Sequence, residues 1–138
     1  MDHRILVSIA SALLCIATSA MGHHGTPQFD TQARATFEGV VTAFDYRNPH
    51  SVIHLESTNA AGNPVEVRVE ATGATSRHYG FTADALSPGD RVIAVVNPSR
   101  QEPDTWGLGI EIIKDDGTVV PLSGRFADYA ENRNTGTA

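Results

Sequence analysis

From residue 35 onward, apolar and polar positions alternate with period two along most of the chain, the pattern of strands with one buried face. Val65, Val67 and Val69 interleave with Glu66, Arg68 and Glu70 and give the cleanest half-buried strand. Before it, Thr36 to Tyr46 is rich in β-branched and aromatic residues and predicts a long strand. Its phase sets Phe37, Val41 and Ala43 on one face and Val40, Phe44 and Tyr46 on the other, and Gly39 allows a bulge or sharp coil. Asn48-Pro49 ends this strand, because proline has no amide to donate. Ser51 to Ser57 predicts a second strand, with Ser51, Ile53 and Leu55 on one side and His50, Val52, His54 and Glu56 on the other.

A turn is expected at Asn59 to Asn63, a short helix over Ala71 to Tyr79, and a turn capped by Thr82 that runs to Leu86. Ser87-Pro88-Gly89-Asp90 reads as a turn whose carboxylate takes nearby backbone amides. Arg91 to Val96 and Thr105 to Ile113 predict two further strands; in the second, Trp106, Leu108, Ile110 and Ile112 share a phase and are expected in the core. Asp115-Asp116-Gly117 is a hairpin turn leading to a last strand, Thr118 to Leu122.

This order, three strands, a short helix, two strands and a final short strand, predicts an all-β fold: a small OB-like barrel of five to six strands with one short helix. A small open sandwich is the alternative. The domain is expected to span residues 23–123, with a flexible tail over 124–138 that lacks apolar periodicity.

The start of the chain has a different pattern. Arg4, the apolar run Ile5 to Ala17 and the small residues Thr18, Ser19 and Ala20 read as a secretory signal over residues 1–22, cut after Ala20 or Gly22. The run is too short for a spanning helix, which needs roughly 20 apolar residues, so no membrane insertion of the mature protein is expected. Cys15, the sole cysteine, lies inside the run and follows Leu14 instead of a small residue, which argues against a lipid anchor. Without the leader the chain has no disulfide and no thiolate ligand, and its core must stabilise it alone. The net charge of −6 and a single lysine, Lys114, argue against a general nucleic-acid surface.

His23-His24-Gly25, Phe29-Asp30, the strand Phe37 to Thr42, Asn48-Pro49-His50 and the segment Gly80 to Asp90 together resemble the DUF6152 family of small exported bacterial domains. The resemblance implies a periplasmic location and carries no established activity. It also implies an aromatic residue after Asn-Pro-His and another three positions on. This chain has Ser51 and His54 there, so no aromatic platform on that strand is carried over.

The candidate chemistry centres on histidines. Cleavage after Ala20 would expose Met21-Gly22-His23, whose amine, two backbone amides and imidazole suit square-planar Cu(II) or Ni(II). Cleavage after Gly22 would make His23 the first residue, chelating copper through amine and ring, with His24 or His50 adding a nitrogen. The bland alternative is a pair of polar residues that simply follow a leader. His50 and His54 share a face, but roughly 13 Å of extended chain separates them, too far for one ion. A turn role for His50, its ring bonded to a backbone carbonyl, is the competing reading.

Three functions follow as expectations: a non-enzymatic periplasmic protein binding copper through His23, His24 and His50; a metal-independent module; or oxidative copper chemistry at a terminal His23. The module would bind a small molecule, envelope component or protein on a face bearing Tyr46, Asn48, His50, Arg77 and Tyr79. No catalytic triad, phosphate-cradling loop or carboxylate pair marks an enzyme.

Overall fold

The period-two segments form strands β1 (Ala35–Asp45), β2 (His50–Thr58), β3 (Pro64–Thr72), β4 (Arg91–Pro98), β5 (Trp106–Lys114) and β6 (Val119–Pro121). They belong to a computed structural model that describes residues 26–72 and 80–124. Residues 1–22, expected to be a leader, His23 and His24, most of the expected helix and the residues beyond Gly124 lie outside the described residues. Ala71 and Thr72, expected to open that helix, instead end β3, paired with Ser51 and His50.

The strands run β3-β2-β1-β4-β5 by antiparallel pairing, and a parallel seam of β3 with β5, Arg68 to Glu70 against Trp106 to Leu108, closes them into a ring. The result is a closed five-stranded barrel of OB-like connectivity, with β6 added to the far half of β5. The all-β barrel expected from the alternation is therefore present, and the open sandwich is not.

Closure depends on β1. Its first half pairs with β4 and its second half with β2, and Gly39 and Val40 pair on both sides. At this crossing a Cβ on Gly39 would run into the carbonyl oxygen of Glu56 and sit 3.1 Å from its carbonyl carbon. Gly39 therefore serves close backbone approach, and the bulge lies beyond it, between Val41 and Ala43. The extra residue reverses the strand's phase. Phe37 and Val41 are buried before it and Phe44 and Tyr46 pack on the core after it, while Ala43, expected inside with Val41, is exposed.

A second phase change corrects the reading of β5. Gly107 and Gly109 face the interior, where a Cβ would meet Val96 Cβ at 2.6 Å and Val69 Cγ1 at 3.0 Å, respectively. Trp106 and Leu108, paired with Arg68 and Glu70, are on the outer side, and a register shift opposite Val95 and Val96 returns Ile112 to the core. Ile53, Leu55, Val67, Val69, Phe81 and Leu122 fill the interior with almost no exposure, each worth about 1.5–3 kcal/mol of burial.

The loops follow their turn residues. Asn59 Oδ1 accepts the amides of Ala61 and Asn63, and Gly117 takes a left-handed φ of 82° in the β5–β6 hairpin. Asp90 Oδ2 accepts the Ser87 amide at 3.0 Å and pairs with Lys114 at 3.0 Å, while Gly89 N and Asp90 O bond both backbone groups of Val41. The only lysine thus ties this turn to the barrel wall. The Ser87 amide, then Lys114, hold the Asp90 carboxyl below its usual value of 3.8.

Two outcomes test this account. Gly39→Ala should lower the urea midpoint at unchanged m-value, a loss of about 1–3 kcal/mol, because the clash is with backbone. Asp90→Asn should be less stable than wild type at neutral pH. Because the folded carboxyl has the lower pKa, that difference should persist above the unfolded value near 3.9 and disappear as pH falls through the folded value. Urea titrations across that range would read it, and a constant gap would contradict the assignment.

Candidate functional site

Alternation along β2 and β3 turns one set of side chains outward, and their register decides which meet. Antiparallel pairing sets His54 opposite Arg68 and Glu56 opposite Glu66. Two carboxylates directly opposed repel. Glu66 instead reaches diagonally to His54, Nδ1 to Oε1 at 3.1 Å, and Glu70 makes the same diagonal to His50 at 3.0 Å. His50 therefore faces a carboxylate on the neighbouring strand. Arg68, displaced from His54, reaches across the β3–β5 seam: its guanidinium lies 5.0 Å from the Trp106 ring centroid and 2.8 Å from Glu102 in the β4–β5 loop.

These pairs form a row of partly exposed polar and charged groups, all on strands except Glu102. His54 and Arg68 keep 31% and 42% of their side-chain surface, enough to be reached by a partner yet held by one. An open cleft of about 270 Å³ adjoins the His54–Glu66 pair, lined by Thr42, Leu55, Glu56, Pro64, Val65 and Glu66. Below it, Ser57 Oγ and Thr42 Oγ1 donate to the carbonyls of Glu38 and His54 and fix the β1–β2 wall.

The remaining sequence-named residues divide. Tyr46 is half-buried beside Phe44 and Phe81, with ring centroids 5.5–5.7 Å apart, and its hydroxyl donates to Phe81 O at 3.4 Å. It packs one end of the barrel, leaving part of its surface open. Asn48 is exposed, before a cis bond to Pro49. Ser51 points inward, fully buried, and its hydroxyl accepts from Arg47 N and donates to Arg47 O, clipping the β1–β2 loop. Arg77 and Tyr79 lie outside the described residues, as do His23 and His24. Among the described residues no group of three or more His, Cys, Asp or Glu is arranged to hold a metal ion.

The segment that precedes β1 is nonetheless fixed. Phe29 bridges to Ser99, Asp30 N donates to Pro98 O, Arg100 N donates to Gln28 O, and Asn97 Nδ2 donates to Ala33 O. Phe29 is 3% exposed and stacks edge-on against Trp106 at 5.1 Å. The chain after the histidine pair is thus clamped at the same tryptophan that carries Arg68.

The clamp ahead of β1, the first half of β1, His50 at the start of β2 and the Gly80 to Asp90 turn coincide with the segments that carry the family resemblance; the rest of the β2–β3 face does not. The DUF6152 family model, described as a family of unknown function, matches residues 11–108. The chain belongs to the DUF6152 family. No curated protein and no solved structure matches it. In this DUF6152 chain the match takes in β1 to β4 and ends in β5 just past Trp106, so the β2–β3 face, the clamp and the tryptophan all fall within it.

Sequence reasoning named His50 on this face and missed Arg68, Glu66, Glu70 and Glu102. The alternation put the first three outward; their pairing needed the strand register. Trp106, read as core, is the point where β3, β5 and the leading segment converge.

Proposed function

We propose that this DUF6152 protein is an exported, non-enzymatic binding module. Its ligand surface is the outer β2–β3 face extended across the seam to Trp106. The row His50–Glu70, His54–Glu66 and Arg68–Glu102 carries this reading: polar and charged side chains paired in advance and, Glu102 apart, carried on strands. Barrels of this connectivity present that sheet face and its adjoining loops to polymers. The scarcity of lysine and the net charge of −6 disfavour nucleic acid, which leaves a polar protein segment or saccharide of the envelope. Side chains already paired lose little freedom on docking, which favours specificity at small entropic cost.

The test is capture from periplasmic extract in the presence of a chelator, with wild type and with His54→Ala/Arg68→Ala. A partner retained by wild type and reduced at least tenfold by the double variant is expected. Equal capture, with both proteins folded, removes this face.

A second reading rests on the clamp. Phe29 fixes the chain beside Trp106, and the five residues back to His24 span at most about 18 Å, a length that would let a terminal histidine pair reach this face. A freed amine with the His23 and His24 imidazoles would hold Cu(II) in planar nitrogen coordination. His54 shares the cross-strand row of Trp106 and Arg68, whereas His50 stands four residues further along β2. Mass spectrometry would fix the mature terminus, and Cu(II) titration of that form with His23→Ala, His50→Ala and His54→Ala would map the ligands. A tenfold or greater weakening by His23→Ala is expected; equal affinity and stoichiometry would exclude His23.

A further inference from the structure

Charge on the outer β2–β3 face is unbalanced. Its outward positions, together with the loop residue that Arg68 reaches, carry the carboxylates of Glu56, Glu66, Glu70 and Glu102 against the single guanidinium of Arg68. Glu70 and Glu66 each meet an imidazole, and Glu102 holds Arg68. Glu56 is exposed, and its carboxylate has no hydrogen-bonding or ionic partner among the described residues. The face therefore carries a surplus of negative charge centred on Glu56.

Strand register sharpens this surplus. Arg68 N donates to Thr105 O across the seam, so the even-numbered residues of β3 direct their backbone groups away from β2. Glu66 and Glu56 are thus a non-hydrogen-bonded cross-strand pair, the kind with the closest Cα approach, about 4.5 Å. Like charges set opposite each other in this way are destabilising. His54 engages one oxygen of Glu66 at 3.1 Å, yet the Glu66 side chain stays 67% exposed. The cleft of about 270 Å³ lies at this pair, walled by Glu56 and Glu66 and by the apolar Pro64 and Val65. Sites that enclose a whole small molecule run to roughly 300–1,000 Å³, so this one suits a single side chain.

We propose that the cleft at Glu56 and Glu66 receives an arginine side chain from a basic, extended segment of a partner protein. This rests on the β2–β3 face being the ligand surface, and it names the class of ligand that the face takes. The methylene stem of an arginine lies along the Pro64 and Val65 wall, and its planar fork of five donors serves both carboxylates at once. The cation also removes the opposition that the register builds in, so binding relieves a cost already present in the free protein. Four residues along β3, about 13 Å away, the partly exposed Glu70 is in reach of a second arginine four residues further on in an extended partner. A saccharide without cationic groups leaves both carboxylates uncompensated.

Fluorescence anisotropy with the full chain tests this, using as probe a labelled threonine peptide that bears two arginines four residues apart. Binding is expected, weakened at least tenfold by Glu56→Gln/Glu66→Gln and less than twofold by Asp115→Asn/Asp116→Asn, which removes the same charge at the β5–β6 turn. All four positions are exposed, so circular dichroism of the sheet should be retained in both variants. No binding of the arginine peptide, or equal losses in the two variants, would overturn the proposal. An N-acetylglucosamine trimer that binds while the peptide does not would overturn it in favour of a saccharide. Repeating the periplasmic capture with Glu56→Gln/Glu66→Gln separates this inference from the reading beneath it. Capture that needs His54 and Arg68 but ignores the glutamine pair overturns the arginine site and keeps the face, whereas capture indifferent to both double variants removes the face itself.

Discussion

Every neighbour relation in this barrel passes through the crossing at Gly39. A single strand has to face β4 with one half and β2 with the other, and at Gly39 and Val40 it serves both. Two backbones flanking a third at hydrogen-bonding distance leave no space for a side chain on the inside of the bend, where Glu56 carbonyl stands. Once β1 is coiled in this way, β3 is carried round on β2 and β5 on β4 until they meet at a parallel seam. That seam is three residue pairs long, so the barrel closes through the curvature of β1 more than through the strength of its last joint.

The same closure builds the candidate site. Outward residues of β3 are brought beside Trp106 only because the seam is in register, and Trp106 in turn receives Phe29 from ahead of β1. A cation from one strand, an aromatic ring from another and a loop carboxylate thereby occupy one corner, although Arg68 and Glu102 are 34 residues apart in sequence. Further along the face, the His54–Glu66 diagonal gives Glu66 a partner other than the Glu56 carboxylate that the β2–β3 register sets opposite it.

Much of this fold was legible in the sequence because alternation reports burial directly. β2 and β3 have the faces that Ile53, Leu55, Val67 and Val69 announce, and the turns at Asn59, Ser87 and Asp115 follow their residues. Alternation fails where a strand inserts a residue. At Thr42 and again near Ile110 a register shift reverses the phase, which put Ala43 outside against expectation and left Leu108 buried, but on the outer side of β5 instead of in the interior. In β5 the misleading signal was the large residues: Trp106 and Leu108 look like core, while the side facing the interior bears glycines chosen for tightness. The candidate face was half legible, since parity set Glu66, Arg68 and Glu70 outward but said nothing of which partner each would find.

Those interior glycines limit what the barrel can accommodate. With Val96 pressed over Gly107 and Leu122 with Val69 over Gly109, the bore is narrowed by its own wall and has the character of a solid rod. A guest cannot thread the axis, as it does in wider up-and-down barrels with a lumen. Any ligand would have to be met from the side, and rim and flank side chains can be exchanged without disturbing the packing that keeps the rod intact.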